Sequence, residues 1–307
     1  MGKAYSKTVR HRSKSHPTLP DPHIHEVINR RKYSSSYALP LDNDEVDRLT
    51  LQHYIFCNIW GGNFSSPVEN ILTNGAKVLD VGCGPGVFSL ELANRYPRSS
   101  FTGVDIVNNY PQSIKPENTT FIKSNVTDGL PFADNSFDFV YMRFMMLAFT
   151  LKNWPRVINE LTRVCKPGGW IEVMERDILW FNEGEGVRNW RTKIVEGMRE
   201  KGIELIISPY IPNFFRANEQ LINFKSDERI EPLGAWAGII GKAYSQVIMW
   251  GAKNLTHAVS GIEFEEGEYG ELINVAMDEL DRNKSFDKSH RFWAMKKPLT
   301  KDASLNY

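Results

Sequence analysis

Three cysteines in 307 residues, Cys57, Cys83 and Cys165, are too few and too far apart for a disulfide scaffold, and none forms a C-x-x-C zinc pair. Such sparse usage fits a reducing compartment, so a cytoplasmic location is expected. Net charge is missing too: Lys+Arg and Asp+Glu both number 37, which argues against a protein that coats nucleic acid with its whole surface. Long apolar runs are absent. The stretch 141–149 is broken by Arg143 and the stretch 235–250 by Lys242, so neither approaches the roughly 18 residues of a membrane span. The first 30 residues are polar and basic, without a secretory apolar core. What is present (41% hydrophobic, 12% aromatic, 24% charged) is ordinary globular material, ample for a core.

The balanced charge conceals an asymmetry. Residues 1–36 hold eight Lys/Arg against Asp21 and Glu26, a surplus of +6 that leaves −6 for the rest of the chain. They also hold four of the seven histidines and few large aliphatic residues, so burial cannot offset the entropy of ordering them. This segment reads as a disordered basic tail. Its first residues, Met1-Gly2-Lys3-Ala4-Tyr5-Ser6, fit the N-myristoylation pattern. An acyl chain on Gly2 plus the basic tail would supply the two signals needed for peripheral membrane contact. The same charges, Arg30-Arg31-Lys32 among them, also suit nuclear import.

Order is expected from Tyr37. Leu49, His53, Phe56 and Trp60 recur at helical spacing, with Asp42 or Asn43 to start a helix and Gly61-Gly62 to end it. Ser66-Pro67-Val68-Glu69 matches a capping box opening a second, short helix. From Lys77 the pattern alternates. Strands are predicted over 77–81, 101–105, 121–125, 137–142 and 170–174, with helices over 86–95 and 153–165 and a turn over 166–169. Such alternation implies right-handed crossovers and a mostly parallel sheet covered on both faces. Strands over 222–233 and 290–296 and helices over 235–256 and 268–281 complete the reading.

The most informative stretch is Val78-Leu79-Asp80-Val81-Gly82-Cys83-Gly84-Pro85-Gly86. A buried strand runs into a glycine-rich turn that opens a helix, where side chains would obstruct a ligand lying on the backbone. Asp105 ends the next strand, 23 residues after Gly82, near the offset at which a carboxylate takes both hydroxyls of a ribose. A dinucleotide loop reads GxGxxG and meets a pyrophosphate, which Asp80 would repel. Here the loop reads GxGxG, and Asp80 would instead attract an α-amino group. S-adenosylmethionine has an amino group, a ribose and no phosphate, so it suits these residues better than NAD.

These residues, with Leu130-Pro131-Phe132 before the fourth strand and Arg163-Val164-Cys165-Lys166-Pro167-Gly168-Gly169, resemble the successive motifs of class I S-adenosylmethionine-dependent methyltransferases. Tyr37-Ala38-Leu39-Pro40, Asp44-Glu45, Arg48-Leu49 and Gln52-His53 resemble the lead-in of a fungal group that includes secondary-metabolism regulators and small-molecule methyltransferases. The resemblance implies an α/β, Rossmann-like, doubly wound sheet of seven strands, mostly parallel with the last antiparallel. It implies a helical lead-in over 37–76, a cofactor-binding core over 77–180, and an acceptor-site cover with the last two strands over 181–307. It also implies cofactor contacts from Asp80, Gly82, Cys83, Gly84, Gly86, Asp105, Ile106, Asn125, Val126, Tyr141 and Met142. Asn125 stands where the family often has an acid that accepts from the adenine amino group.

Arg143 and Trp236 are the candidates for acceptor contacts, and Glu175 and His53 for a base. Each has a plainer reading: a core histidine, a surface ion pair, a packed aromatic. Gln52, Trp180, Phe181, Tyr210, Phe214 and Phe215 carry the same ambiguity, and no metal site is expected. The main expectation is methyl transfer to a small molecule. The alternative is a cofactor-binding regulator that acts through a protein partner. Nucleic acid is not an expected partner, because only the tail is basic.

Overall fold

The computed structural model describes residues 26–28, 31–33, 39–40, 42–256 and 268–299. Two short strands come first, β1 (Glu26–Ile28) and β2 (Arg31–Tyr33), paired antiparallel with each other. The tail expected to be without structure therefore contains a ladder at its inner end. Its acylation pattern and the basic residues up to Lys14 lie outside the described residues.

Helix α1 (Asn43–Trp60) begins as its sequence dictates: the Asp42 carboxylate accepts from the Glu45 amide at 3.0 Å, and Gly61 ends the helix in the left-handed region. Helix α2 (Glu69–Asn74) departs from expectation, because Val68, not Ser66, caps it and no side chain bonds its first amides. Ser66 is engaged elsewhere. Its hydroxyl and amide both donate to the carboxylate of Glu172, at 2.7 Å each, and the Ser65 amide donates to the same group. A fully buried carboxylate needs these donors more than a solvated helix end needs a cap.

The alternating region follows as β3 (Lys77–Val81), α3 (Val87–Arg95), β4 (Ser100–Asp105), β5 (Thr119–Lys123), β6 (Phe137–Arg143), α4 (Asn153–Val164) and β7 (Cys165–Arg176). Residues 166–169, expected as a turn ahead of β7, form a bulge within it: Cys165 pairs with Phe137 and Trp170 with Phe139. After β7 come α5 (Glu185–Glu200), α6 (Ile211–Ala217), β8 (Leu221–Pro232), α7 (Gly238–Thr256), α8 (Glu268–Arg282) and β9 (Phe286–Lys296).

Seven strands form one sheet in the order β5-β4-β3-β6-β7-β9-β8. The β3, β4, β5, β6 and β7 pairings are parallel, whereas β9 runs antiparallel to both β7 and β8. The sheet is thus seven-stranded with its last strand reversed, as expected. Val78, Leu79, Asp80 and Val81 are all buried, the mark of a central strand covered on both faces. Helices α2 and α3 pack on one face through Leu72, Phe88 and Leu92, and α4 on the other through Trp154, Val157, Ile158 and Leu161. A separate cluster joins α1, α7 and α8 around Phe56, Tyr244 and Leu280. Among the described residues no helix is long and apolar enough to cross a membrane.

Chain order reverses at β3, which has β4 on one side and β6 on the other. Loops leaving the carboxyl ends of β3 and β6 turn apart there, and a crevice opens between them.

Glu172 also lies 3.7 Å from the buried Arg291 of β9. Replacing it takes the carboxylate from that guanidinium and strands three donors at once. Glu172→Ala is expected to lose about 3–5 kcal/mol of unfolding free energy in urea denaturation, against about 1 kcal/mol for Ser66→Ala.

Candidate active site

The crevice is walled by the carboxyl ends of four parallel strands. Val81, Gly82, Cys83, Gly84 and Pro85 come from the β3 loop, and Val104, Asp105 and Ile106 from β4. Ser124, Asn125 and Val126 follow β5, and a segment from Arg143 to Phe149 follows β6. Helix α1 covers the opening with Leu49, Gln52 and His53.

Backbone geometry shapes the loop. Gly82, Gly84 and Gly86 all have positive φ, and a Cβ on Gly86 would meet the Phe121 ring at 2.7 Å. The amides of Gly82 and Cys83 both donate to the Val104 carbonyl, at 2.8 and 3.0 Å. Asp105 closes the arrangement, one oxygen accepting from the Gly84 amide (2.8 Å) and the other from the Val107 amide (2.9 Å). The carboxylate lines the crevice, and its two oxygens have more accepting capacity than these amides use. Burial raises its pKa, with the amides of Val107, Gly84 and Ile106 opposing.

Several expected contacts lie elsewhere. Asp80 is 2% exposed, sits beneath the loop outside the crevice wall, and accepts from the Ser89 hydroxyl at 2.9 Å. Burial lifts its pKa to about 6, against the pull of Arg143 and the Ser89 hydrogen bond. Gly86 is the N-cap of α3 and does not line the crevice. Tyr141 and Met142 are buried in the core; Tyr141 stacks on Phe88 at 4.1 Å, because strand alternation turns it under the sheet. Asn125 lines the crevice, but its amide oxygen accepts from the Thr127 amide and hydroxyl, so the plainer role of turn cap takes the atom expected to meet adenine. Trp236 is 41% exposed, bonds the Leu233 carbonyl and lines neither this crevice nor its neighbour.

The two candidate bases are both engaged. Glu175 is fully buried away from the crevice, and its oxygens accept from the amides of Met145 (2.6 Å) and Met146 (3.3 Å), fixing the segment after β6. Burial keeps its pKa well above the carboxylate range. His53 does line the crevice. Its Nδ1 lies 2.8 Å from the Arg143 guanidinium and its Nε2 2.6 Å from the Glu91 carboxylate. A guanidinium only donates, so Nδ1 accepts and the proton sits on Nε2, donated to Glu91. The imidazole is therefore neutral with its lone pair in use, which is the wrong state for a base.

Cys57 joins His53 and Glu91 to place three potential metal ligands within 4.8 Å of one another. The tautomer opposes a cation there. A metal on Nε2 would leave an Nδ1–H facing Arg143, and burial pushes the Cys57 thiol up to about 11.

Three lining residues carried no sequence signal. Phe144 has a positive φ just past β6, Met145 lodges its sulfur where a Cβ on Gly82 would stand, and Leu147 extends the apolar wall. Only their place after the fourth alternating strand could have marked them.

Burial, and then the charge of Arg143, lowers the His53 pKa, while Glu91 raises it. In NMR titration Arg143→Leu is expected to raise the His53 pKa and Glu91→Gln to lower it. Because the unfolded imidazole binds its proton near 6.5 and the folded one only at lower pH, His53 should weaken the fold as pH falls below about 6.5.

Residues 78–169 match the family model described as a methyltransferase domain. N-methyltransferase tcpN of Claviceps purpurea is 34% identical over 148 residues, 46% of this chain and 52% of that protein. Methyltransferase str3 of Strobilurus tenacellus is 31% identical over 166 residues, 53% of this chain and 58% of that protein. Secondary metabolism regulator LAE1 of Cochliobolus heterostrophus is 29% identical over 144 residues, 46% of each chain. The chain thus spans about half the length of the curated relatives it matches. Residues 78–169 are thus similar to a methyltransferase domain, and they lie on a sheet with a reversed last strand, a glycine loop at the switch point and Asp105 beside it.

Proposed function

We propose that this protein binds S-adenosylmethionine in the crevice and transfers its methyl group to a small molecule. The observation that carries the reading is a second cavity adjoining the first: Leu39, Leu49, Gln52, Phe144 and Leu147 line both. A cofactor site and an acceptor site that share a wall are what direct transfer requires.

The residues present fit the cofactor. The accepting capacity left on Asp105 can take a ribose hydroxyl, with Ile106 and Val126 as apolar walls for the base. Gly82 offers bare backbone for the amino-acid part once the Met145 side chain swings aside. Asp80, sealed behind the loop, acts on an ammonium only through its field. When bound, S-adenosylmethionine supplies a sulfonium whose methyl group is already activated for displacement.

The chain's own residues then align and enclose. Glu175 pins the Met145 and Met146 amides, so Phe144 and Leu147 stand at the seam between the cavities and keep water from it. Neither Glu175 nor His53 is free to remove a proton. An acceptor that arrives already nucleophilic, as a carboxylate, a phenolate or a neutral amine, suits this arrangement. The engagement of both candidate bases also suits the second reading, a cofactor-binding regulator with little transfer activity.

Asp105→Ala is expected to weaken S-adenosylmethionine binding at least about tenfold in calorimetry, the loss of charge-assisted hydrogen bonds. Trp236→Ala should leave it unchanged. With methyl-labelled cofactor, label entering the small-molecule fraction of a cell extract supports transfer. Binding with no labelled product supports the regulator.

A further inference from the structure

Among the described residues that line the crevice, two side chains carry a formal charge, Asp105 and Arg143. The sheet sets them on either side of the glycine loop. Val81 ends β3 opposite Val104 of β4 and Met142 of β6, and Asp105 and Arg143 come one residue later on those flanking strands. At ordinary strand spacing their backbones stand about 10 Å apart, with Gly82 between them. Arg143 lines this crevice and not the second cavity.

The Arg143 guanidinium is held in place but not neutralised. Its Nη2 donates to Nδ1 of His53 at 2.8 Å, and Nε2 of that ring donates to Glu91, so hydrogen bonds run from α3 through α1 to the guanidinium. The ring centroids of Phe88 and Phe144 lie 5.8 and 5.7 Å from its central carbon. No carboxylate pairs with it among the described residues, and His53, its one hydrogen-bond partner there, is neutral. Its Nε and Nη1 make no hydrogen bond, yet they are not among the sealed, unpartnered nitrogens, which belong to Arg176, Trp180, Trp190 and Arg291. Both therefore keep accessible surface. A fixed guanidinium with open donors and no counter-charge is a receptor for an anion, and a carboxylate matches its planar fork.

We infer that Arg143 binds the α-carboxylate of S-adenosylmethionine, and that His53, held in turn by Glu91, is the positioning residue for its guanidinium. The inference rests on the methyltransferase reading for the cofactor. A nucleoside held through its ribose at Asp105 extends its amino-acid arm across Gly82, and the charged group on the far side is Arg143. Behind the loop, Asp80 is near enough for Arg143 to act on its titration. The field there thus has both signs, as an α-amino-acid zwitterion requires. Arg143 serves the cofactor and not the acceptor.

The test titrates the full-length protein by calorimetry with S-adenosylmethionine and with decarboxylated S-adenosylmethionine, which keeps the sulfonium, nucleoside and ammonium and lacks only the carboxylate. Wild type is expected to prefer S-adenosylmethionine at least about tenfold. In Arg143→Leu the preference should fall to about twofold or less, through weaker binding of S-adenosylmethionine alone. Retained affinity for the decarboxylated ligand shows that the variant is folded. Arg143→Lys keeps the charge but cannot serve the imidazole and a carboxylate with one fork. It should keep a preference smaller than that of wild type, and it decides the question if the leucine variant does not fold. His53→Phe should cut the preference at least about threefold with the decarboxylated ligand little changed, whereas a merely structural role would shift both ligands together. Equal wild-type affinity for the two ligands, or an undiminished preference in the Arg143 variants, overturns the inference. An undiminished preference in His53→Phe overturns the positioning role. A wild type that binds neither ligand overturns the methyltransferase reading, and the inference falls with it.

Discussion

Asp105 holds the Gly84 amide on one carboxylate oxygen and the Val107 amide on the other, and so joins the glycine turn after β3 to the end of β4. Besides that bridge, the Val104 carbonyl accepts from Gly82 and Cys83, and the Cys83 carbonyl accepts from the Gly86 amide. With these bonds, three glycines at positive φ are locked into a bare backbone shelf beside a carboxylate that still has accepting capacity to offer. Burial and hydrogen bonding oppose each other at this one group, which is how a carboxylate stays poised to bind and not merely to hold the fold.

The remaining buried acids do structural work around that shelf. Glu172 gathers the serines between α1 and α2, Glu175 pins the amides after β6, and Asp80 anchors Ser89 of α3. Each satisfies donors that would otherwise be orphaned in the core, and each is thereby removed from chemistry. His53 shares this fate through Arg143 and Glu91. The result is a site with shape and few free polar groups, suited to a cofactor that carries its own leaving group.

Much of this was legible in the sequence because it depends on period and spacing. The alternation from Lys77 onward, the glycines and the position of Asp105 fix the strand order around the switch point and the location of the crevice. Depth is what spacing does not encode. Tyr141, Met142 and Glu175 lie at the correct strand ends, but their position within the pleat turns them into the core. Ser66 has the spacing of a cap and is taken by Glu172, more than 100 residues away in sequence. Met145 needed tertiary contacts to be noticed, since a lone methionine reads as ordinary core.

The most direct measurement is a crystal structure with S-adenosylhomocysteine. The account requires a ribose hydroxyl on the Asp105 carboxylate and the amino-acid portion over Gly82, with the Met145 side chain moved off that glycine. A ligand seated anywhere else, or a crevice still closed by Met145 at saturating ligand, would contradict it.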